Sequence, residues 1–166
     1  MKVVFLDCDG VLNTEQFQIE RVKKFGRINH MDLYFQPSCM RHLKRIIDKT
    51  DCKIVISSTW RLFEQRIGAI ETNFVIHNID PSVIIGKTPN FTYTNLFSDG
   101  SEYVCRGSEI KAWIKNNDKV NFNIDKIVII DDDSDMSDLK DHLIQTSWKN
   151  GLTRKLANKA IRMLNE

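Results

Sequence analysis

The sequence predicts an α/β fold, a three-layer sandwich in which helices flank a central, mainly parallel sheet. Three observations lead there. The runs Val3–Leu6 (VVFL), Ile54–Ile56 (IVI) and Ile127–Ile130 (IVII) are too short for helices and apolar throughout, as strands buried on both faces are. Stretches with helical periodicity lie between them, the alternation that a parallel sheet with crossover helices requires. Each run also ends in a polar cluster, and ligands of open α/β sheets bind beyond the carboxyl ends of the strands.

In chain order, Val3–Leu6 is the first strand and delivers Asp7-Cys8-Asp9-Gly10. Pro37 and Ser38 then precede Cys39, Met40, Leu43, Ile46 and Ile47, which share one helix face with Ser38 as its N-cap. Ile54–Ile56 is the second strand and ends in Ser57-Ser58-Thr59. A helix over Arg61–Glu71 follows, then short strands at Val75–Ile76 and Val83–Ile85. Ser108 caps a helix whose buried side is Ile110, Trp113 and Ile114. Ile127–Ile130 delivers Asp131-Asp132-Asp133, and Leu143–Gln145 is a last short strand. Gly151 and Thr153 open a helix that buries Leu156, Ala157, Ala160, Ile161 and Leu164 and leaves Arg154, Lys155, Lys159 and Arg162 outside.

The 166 residues, 42% of them hydrophobic, suit a single domain over 1–166, which at this size buries roughly 70% of its unfolded surface. With 28% charged residues, seven Gly and three Pro, the chain is neither disordered nor collagen-like. A net charge of +2 gives no support for a strongly basic nucleic-acid binder, yet it is uneven: residues 131–141 hold six Asp and one Lys, a charge of −5, so the remainder carries +7. Such a patch is either a solvated acidic loop or a cation site. Cys8, Cys39, Cys52 and Cys105 form no CxxC and have no His in ligand spacing, which indicates neither zinc nor a disulfide scaffold. The N-terminal apolar run is shorter than the roughly 7 residues of a signal core, and none approaches the ~20 of a membrane span. The expectation is a soluble protein of a reducing cytoplasm.

Side chains alternate in extended chain, so Asp7 and Asp9 can share one side while Cys8 turns away. Two carboxylates held together repel unless a cation, a proton or hydrogen bonds offset the charge. The late Asp cluster makes a cation the simplest answer, and hard oxygen ligands suit Mg²⁺. Singly, each piece has a bland reading: DxD and paired Ser are common turn formers, and an acidic run can be a helix N-terminus. Together they are more specific, because three strand ends supply complementary groups.

VVFLDCDGVLN resembles motif I of the haloacid dehalogenase (HAD) superfamily. IVISSTWR is similar to its second motif, RGSEIKAWI to its third and IVIIDDDSDM to its acidic fourth, all in the family's order. The words LNT, SSTWR, VIIGKTP, RGSEIKAWI, DDDSDM and GLT further resemble the capless HAD domain of Swiss army knife RNA-repair proteins. The resemblance implies a Rossmann-like sandwich with no large cap domain and a two-step phosphoryl transfer. Asp7 would be the nucleophile, Asp9 the general acid and then base, and Ser57 a donor to a phosphoryl oxygen, with Ser58 and Arg61 beside the substrate. Arg106 aligns with a basic position that is usually Lys, and nearby Lys111 is the alternative. Asp131 and Asp132, with Asp7 and the backbone carbonyl of Asp9, would hold Mg²⁺. The register within Asp131, Asp132, Asp133 and Asp135 stays open by one residue.

Only residues 13–36 separate motif I from the next helix, room for a flap but not for a domain. The loop over 88–105 is likewise too short for a large cap. An uncovered site in this superfamily implies phosphates on large molecules, hence an RNA or DNA end, with a kinase or ligase as possible repair partner. Within the flap, Arg21, Lys23, Lys24, Arg27 and His30 interleave with Phe17, Phe25, Tyr34 and Phe35, which could track a nucleic-acid strand or simply pack on the domain. Rival readings are a phosphatase of nucleotides or other small phosphomonoesters and, from another class, a phospho-acceptor or binding module without turnover.

Overall fold

The computed structural model describes residues 1–26, 34–91, 105–117 and 122–166. Five apolar segments become the strands of one sheet: β1 Lys2–Leu6, β2 Lys53–Ile56, β3 Ile84–Lys87, β4 Lys126–Asp131 and β5 Leu143–Gln145, in the order β3-β2-β1-β4-β5. All four pairings are parallel. β1 lies at the centre, so both of its faces are covered and Val3, Val4, Phe5 and Leu6 are all fully buried. That explains the unbroken apolar run, since alternation appears only where one face meets water. Val4 and Leu6 join one core cluster; Val3 and Phe5 join the other, where Phe5 meets Trp113 edge-on at 5.5 Å.

The helices among the described residues are α1 Glu15–Phe25, α2 Pro37–Thr50, α3 Glu64–Ile76, α4 Arg106–Asn117 and α5 Arg154–Asn165. α2 buries Cys39, Met40, Leu43 and Ile46, and α5 buries Ala157, Ala160 and Leu164 in the same cluster. α4 supplies Ile110 and Trp113 to the opposite face. Thr153 caps α5 as its position suggested, its hydroxyl accepting from the Leu156 N–H at 3.3 Å. No helix among the described residues is long and apolar enough to cross a membrane.

Several local expectations are corrected. Ser38 does not cap α2; Pro37 starts that helix, where its missing N–H costs nothing, and Gln36 precedes it without a side-chain bond. The stretch after β2 opens as a 3-10 turn, Thr59–Leu62, before α3 begins at Glu64. Val75 and Ile76 are the last turn of α3 and not a strand: Ile70, Asn73 and Phe74 hold the buried face, which turns this β-branched pair out to solvent. Pro81–Val83 is a 3-10 turn, so β3 starts one residue later than expected. Ser108 lies inside the first turn of α4, and the cap comes from another element, the Asp135 carboxylate, which accepts the Arg106 backbone N–H at 3.0 Å.

The 13–36 insert contributes α1, capped by Thr14 and without a buried residue. Arg27 and His30 lie outside the described residues, as does most of the 88–105 loop.

Candidate active site

Register builds the site. β1 pairs Leu6 with Ile56 of β2 and with Ile130 of β4, so the three strands end level. The Asp7 N–H donates to the Ile130 carbonyl and the Ser57 N–H to the Leu6 carbonyl, each at 3.0 Å. Asp7, Ser57 and Asp131 therefore stand in a row at the carboxyl edge.

Asp132 joins them. One carboxylate oxygen from each of Asp7, Asp131 and Asp132 lies within 4.8 Å of the other two. Gly10 makes room, for its φ of 71° is left-handed and a Cβ there would sit 2.3 Å from Asp132 Cγ. Of the other acids in that run, Asp133 accepts from the Ser134 N–H and Asp135 caps α4.

The electrostatics of the trio disfavour charge. Burial pushes the Asp7 carboxyl up, and Arg106 and the Ser58 hydroxyl pull it only part of the way back. Asp131 is pushed up to about 7, first by burial and then by Asp7. Asp132 is raised too, by burial and by its acidic neighbours Asp133 and Asp9. A cation among them would reverse this cost. Asp131 Oδ2 is also buried without a hydrogen-bond donor. Three convergent hard oxygens on carboxylates that resist charge fit Mg²⁺.

Arg106 faces the trio from the mouth of α4. Its Nη1 lies 3.7 Å from Asp7 Oδ1 and its Nε 3.7 Å from Asp131 Oδ2. Burial alone would weaken its proton affinity, but Asp131 and then Asp7 outweigh this and hold it above the ordinary arginine value. Nη1 also donates to the Ser57 carbonyl. The Ser57 hydroxyl is fully buried and has no partner among the described residues, which leaves it available to an incoming oxygen. Asp9 stands beside this row with both oxygens engaged, Oδ1 by Asn13 Nδ2 and Oδ2 by Trp60 Nε1, each at 2.8 Å.

Arg61 and Lys111 have other employment. Arg61 is buried, and its guanidinium donates to the carbonyls of Ser57 (2.7 Å), Thr88 (3.1 Å) and Pro89 (3.0 Å) and to Glu109 Oε2 (2.6 Å). Such an arginine clamps the loops after β2 and β3 to α4 and has little left to offer a phosphate. Its acidic partner comes from α4 and not from its own helix. Lys111 pairs with Asp138 on the exposed side of α4, so Arg106 is the basic group at the acids. Ser58 caps the 3-10 turn, accepting from the Trp60 N–H at 3.4 Å, and turns its hydroxyl to Asp7.

Sequence reasoning missed Glu109, Asn13 and the indole of Trp60. Glu109 had a signal: it lies four residues before Trp113, on the buried stripe of α4, where a carboxylate needs a partner. Asn13 and Trp60 had none beyond their nearness to the motifs.

A family model described as the HAD domain in Swiss Army Knife RNA repair proteins matches residues 3–157. No curated protein and no solved structure matches the chain.

Proposed function

The chain belongs to the family of HAD domains in Swiss Army Knife RNA repair proteins, and from that premise we propose that it is a Mg²⁺-dependent phosphomonoesterase acting through an aspartyl-phosphate. The observation that carries the reading is the row of Asp7, Ser57 and Asp131 at three level strand ends, faced by Arg106.

Asp7 attacks phosphorus and forms a new O–P bond. The bond from phosphorus to the leaving oxygen breaks, its electron pair stays on that oxygen, and the oxygen takes the proton carried by Asp9. Asp9, now a carboxylate, then takes a proton from water as the water oxygen bonds to phosphorus and the Asp7–phosphorus bond breaks, releasing phosphate. Ser57 donates its free hydroxyl to a phosphoryl oxygen. Arg106 offsets the charge that spreads over the transferring group. Asp7, Asp131 and Asp132, with the Asp9 carbonyl, would hold the Mg²⁺ whose positive charge lets the anionic nucleophile and the phosphate share one site.

The substrate in this proposal is a terminal phosphate on RNA or DNA, met in the cytoplasm with a kinase or ligase as possible repair partner. Two observations support it: the insert adds one short, unburied helix and no cap domain, and the last turns of that helix carry Arg21, Lys23 and Lys24. The test compares kcat/KM on 3′-phosphorylated and 5′-phosphorylated oligonucleotides with that on the mononucleotide, in Mg²⁺, in EDTA and with Asp7→Asn. We expect an oligonucleotide to be preferred and turnover to vanish in EDTA and in Asp7→Asn. A preference for the mononucleotide would overturn the substrate, and equal activity in all three conditions the mechanism.

A further inference from the structure

We propose that Trp60 and Asn13 are the positioning residues of Asp9, gripping its carboxyl from both sides so that it meets the leaving oxygen. The inference rests on the phosphatase reading and extends it to how this chain aims its acid. Asp9 lies on the loop beyond β1, where no strand register fixes its side chain. What fixes it is a pair of donors, one per oxygen: Asn13 Nδ2 to Oδ1 and Trp60 Nε1 to Oδ2, each at 2.8 Å.

Both donors are held in turn. The Trp60 ring is 3% exposed, lies against Phe35 with centroids 5.1 Å apart, and carries the Arg66 guanidinium at 5.5 Å on its ring. The indole therefore cannot swing its N–H away without breaking these ring contacts. The Asn13 amide is oriented by Gln18 of α1, whose Nε2 donates to Asn13 Oδ1 and so turns the Asn13 NH₂ toward Asp9. The Asn13 backbone closes the same loop, its N–H donating to the Cys8 carbonyl (2.9 Å) and its carbonyl accepting from the Gly10 N–H (2.8 Å).

These anchors lie at the two ends of the 13–36 insert. Asn13 opens it, and Phe35, whose backbone N–H donates to Asn73 Oδ1 at 2.9 Å, closes it. The insert thus serves the acid from both sides although it does not cover the site. Such aim matters because a misplacement of about 1 Å can cost on the order of 100-fold in rate.

The test separates aim from mere packing through the leaving group. An alkoxide needs Asp9's proton as it departs, whereas p-nitrophenoxide leaves without one. kcat/KM reports only the steps through phosphoryl transfer to Asp7, and so excludes Asp9's later work on water. For Trp60→Phe, which keeps an aromatic ring at the position and removes the N–H, and for Asn13→Ala, we expect kcat/KM on a 3′-phosphorylated oligonucleotide to fall about 30-fold, and on p-nitrophenyl phosphate no more than about 3-fold. Equal losses on both substrates, or no loss on either, would overturn the proposal. If circular dichroism shows Trp60→Phe unfolded, Asn13→Ala decides alone. A wild-type protein inactive on both substrates would sink the phosphatase reading, and this inference with it; an active wild type with variants that lose equally sinks only this inference.

Discussion

Removing the buried guanidinium with Arg61→Met should be among the most damaging single changes away from the carboxylate trio. The Arg61 and Glu109 side chains are 3% and 7% exposed and meet at 2.6 Å, so neither charge is screened by water. Without Arg61, Glu109 keeps the Phe91 N–H at 3.1 Å, and the Thr88 and Pro89 carbonyls lose its guanidinium. Breaking one half of a buried pair typically costs about 3–5 kcal/mol. Against a domain stability of about 5–15 kcal/mol this removes a large fraction of the total. At about 2–4 °C per kcal/mol for a chain of this size, Tm should fall by about 6–20 °C. Urea titration at pH 7 measures the effect as a lower midpoint at unchanged slope. The double variant Arg61→Met, Glu109→Leu removes both charges and should recover part of the loss, because the stranded carboxylate is the largest share of it. A single variant costing under about 1 kcal/mol, or a double variant no more stable than the single, would refute the clamp. A raised KM at unchanged stability would return Arg61 to the phosphate.

Three further outcomes are expected. Asp131, pushed up to about 7 in the fold from an ordinary 3.8, keeps its proton in the folded protein where the unfolded chain has lost it, so its contribution to stability is present at low pH and disappears as pH rises through 7. Thermal melts in EDTA should therefore show the wild type losing stability relative to Asp131→Asn between pH 5 and pH 8, and Mg²⁺ should raise Tm more at pH 8 than at pH 5; a difference flat with pH would contradict this. Gly10→Ala places a methyl 2.3 Å from Asp132 Cγ at a φ of 71°, so Tm should fall and the Mg²⁺ concentration for half-maximal activity should rise, whereas an unchanged Mg²⁺ requirement would show that Asp132 is not a ligand. Lys111→Met breaks an exposed pair with Asp138 and should leave Tm nearly unchanged and change kcat/KM by less than about twofold; a loss on the order of 100-fold would move the basic role from Arg106 to Lys111.

The strands were legible because β1 and β4 are covered on both faces, and a run such as VVFL or IVII has no other stable placement. The acids were legible because level strand ends in a parallel sheet bring Asp7 and Asp131 together whatever the loops do. Elements with one exposed side were harder. Val75 and Ile76 read as strand by residue type, and only the burial of Ile70, Asn73 and Phe74 in the folded protein shows that they end a helix. The N-terminus of α4 hid its cap in Asp135, a residue 29 positions later. Arg61 stands four residues from Ser57, as a phosphate ligand would, and what removes it from that role is Glu109, 48 positions away. Partner choice across such separations is decided by tertiary packing, which local spacing does not record.

The fates of the two arginines account for how the site uses its charge. Both guanidiniums reach the Ser57 carbonyl, so both lie next to the place where phosphate would bind. Arg61 is neutralised by Glu109 and spends its donors on the carbonyls around it, which makes it part of the frame. Among the described residues no carboxylate oxygen lies at hydrogen-bonding distance of the Arg106 guanidinium; Asp7 and Asp131 stand at 3.7 Å, close enough to feel its charge. Asp7 and Asp131 face that guanidinium, Asp132 converges with them, and Asp9 stands beside the group. A phosphate dianion would add two more negative charges to a site already deficient in positive ones, and neither Arg61 nor Lys111 is placed to balance them. In the proposed reading, a divalent cation at Asp7, Asp131 and Asp132 would supply the missing charge. It would also account for the −5 of residues 131–141 standing at a strand end, while on α1 Lys23 and Lys24 are exposed and Arg21 packs over the Phe17 and Tyr34 rings.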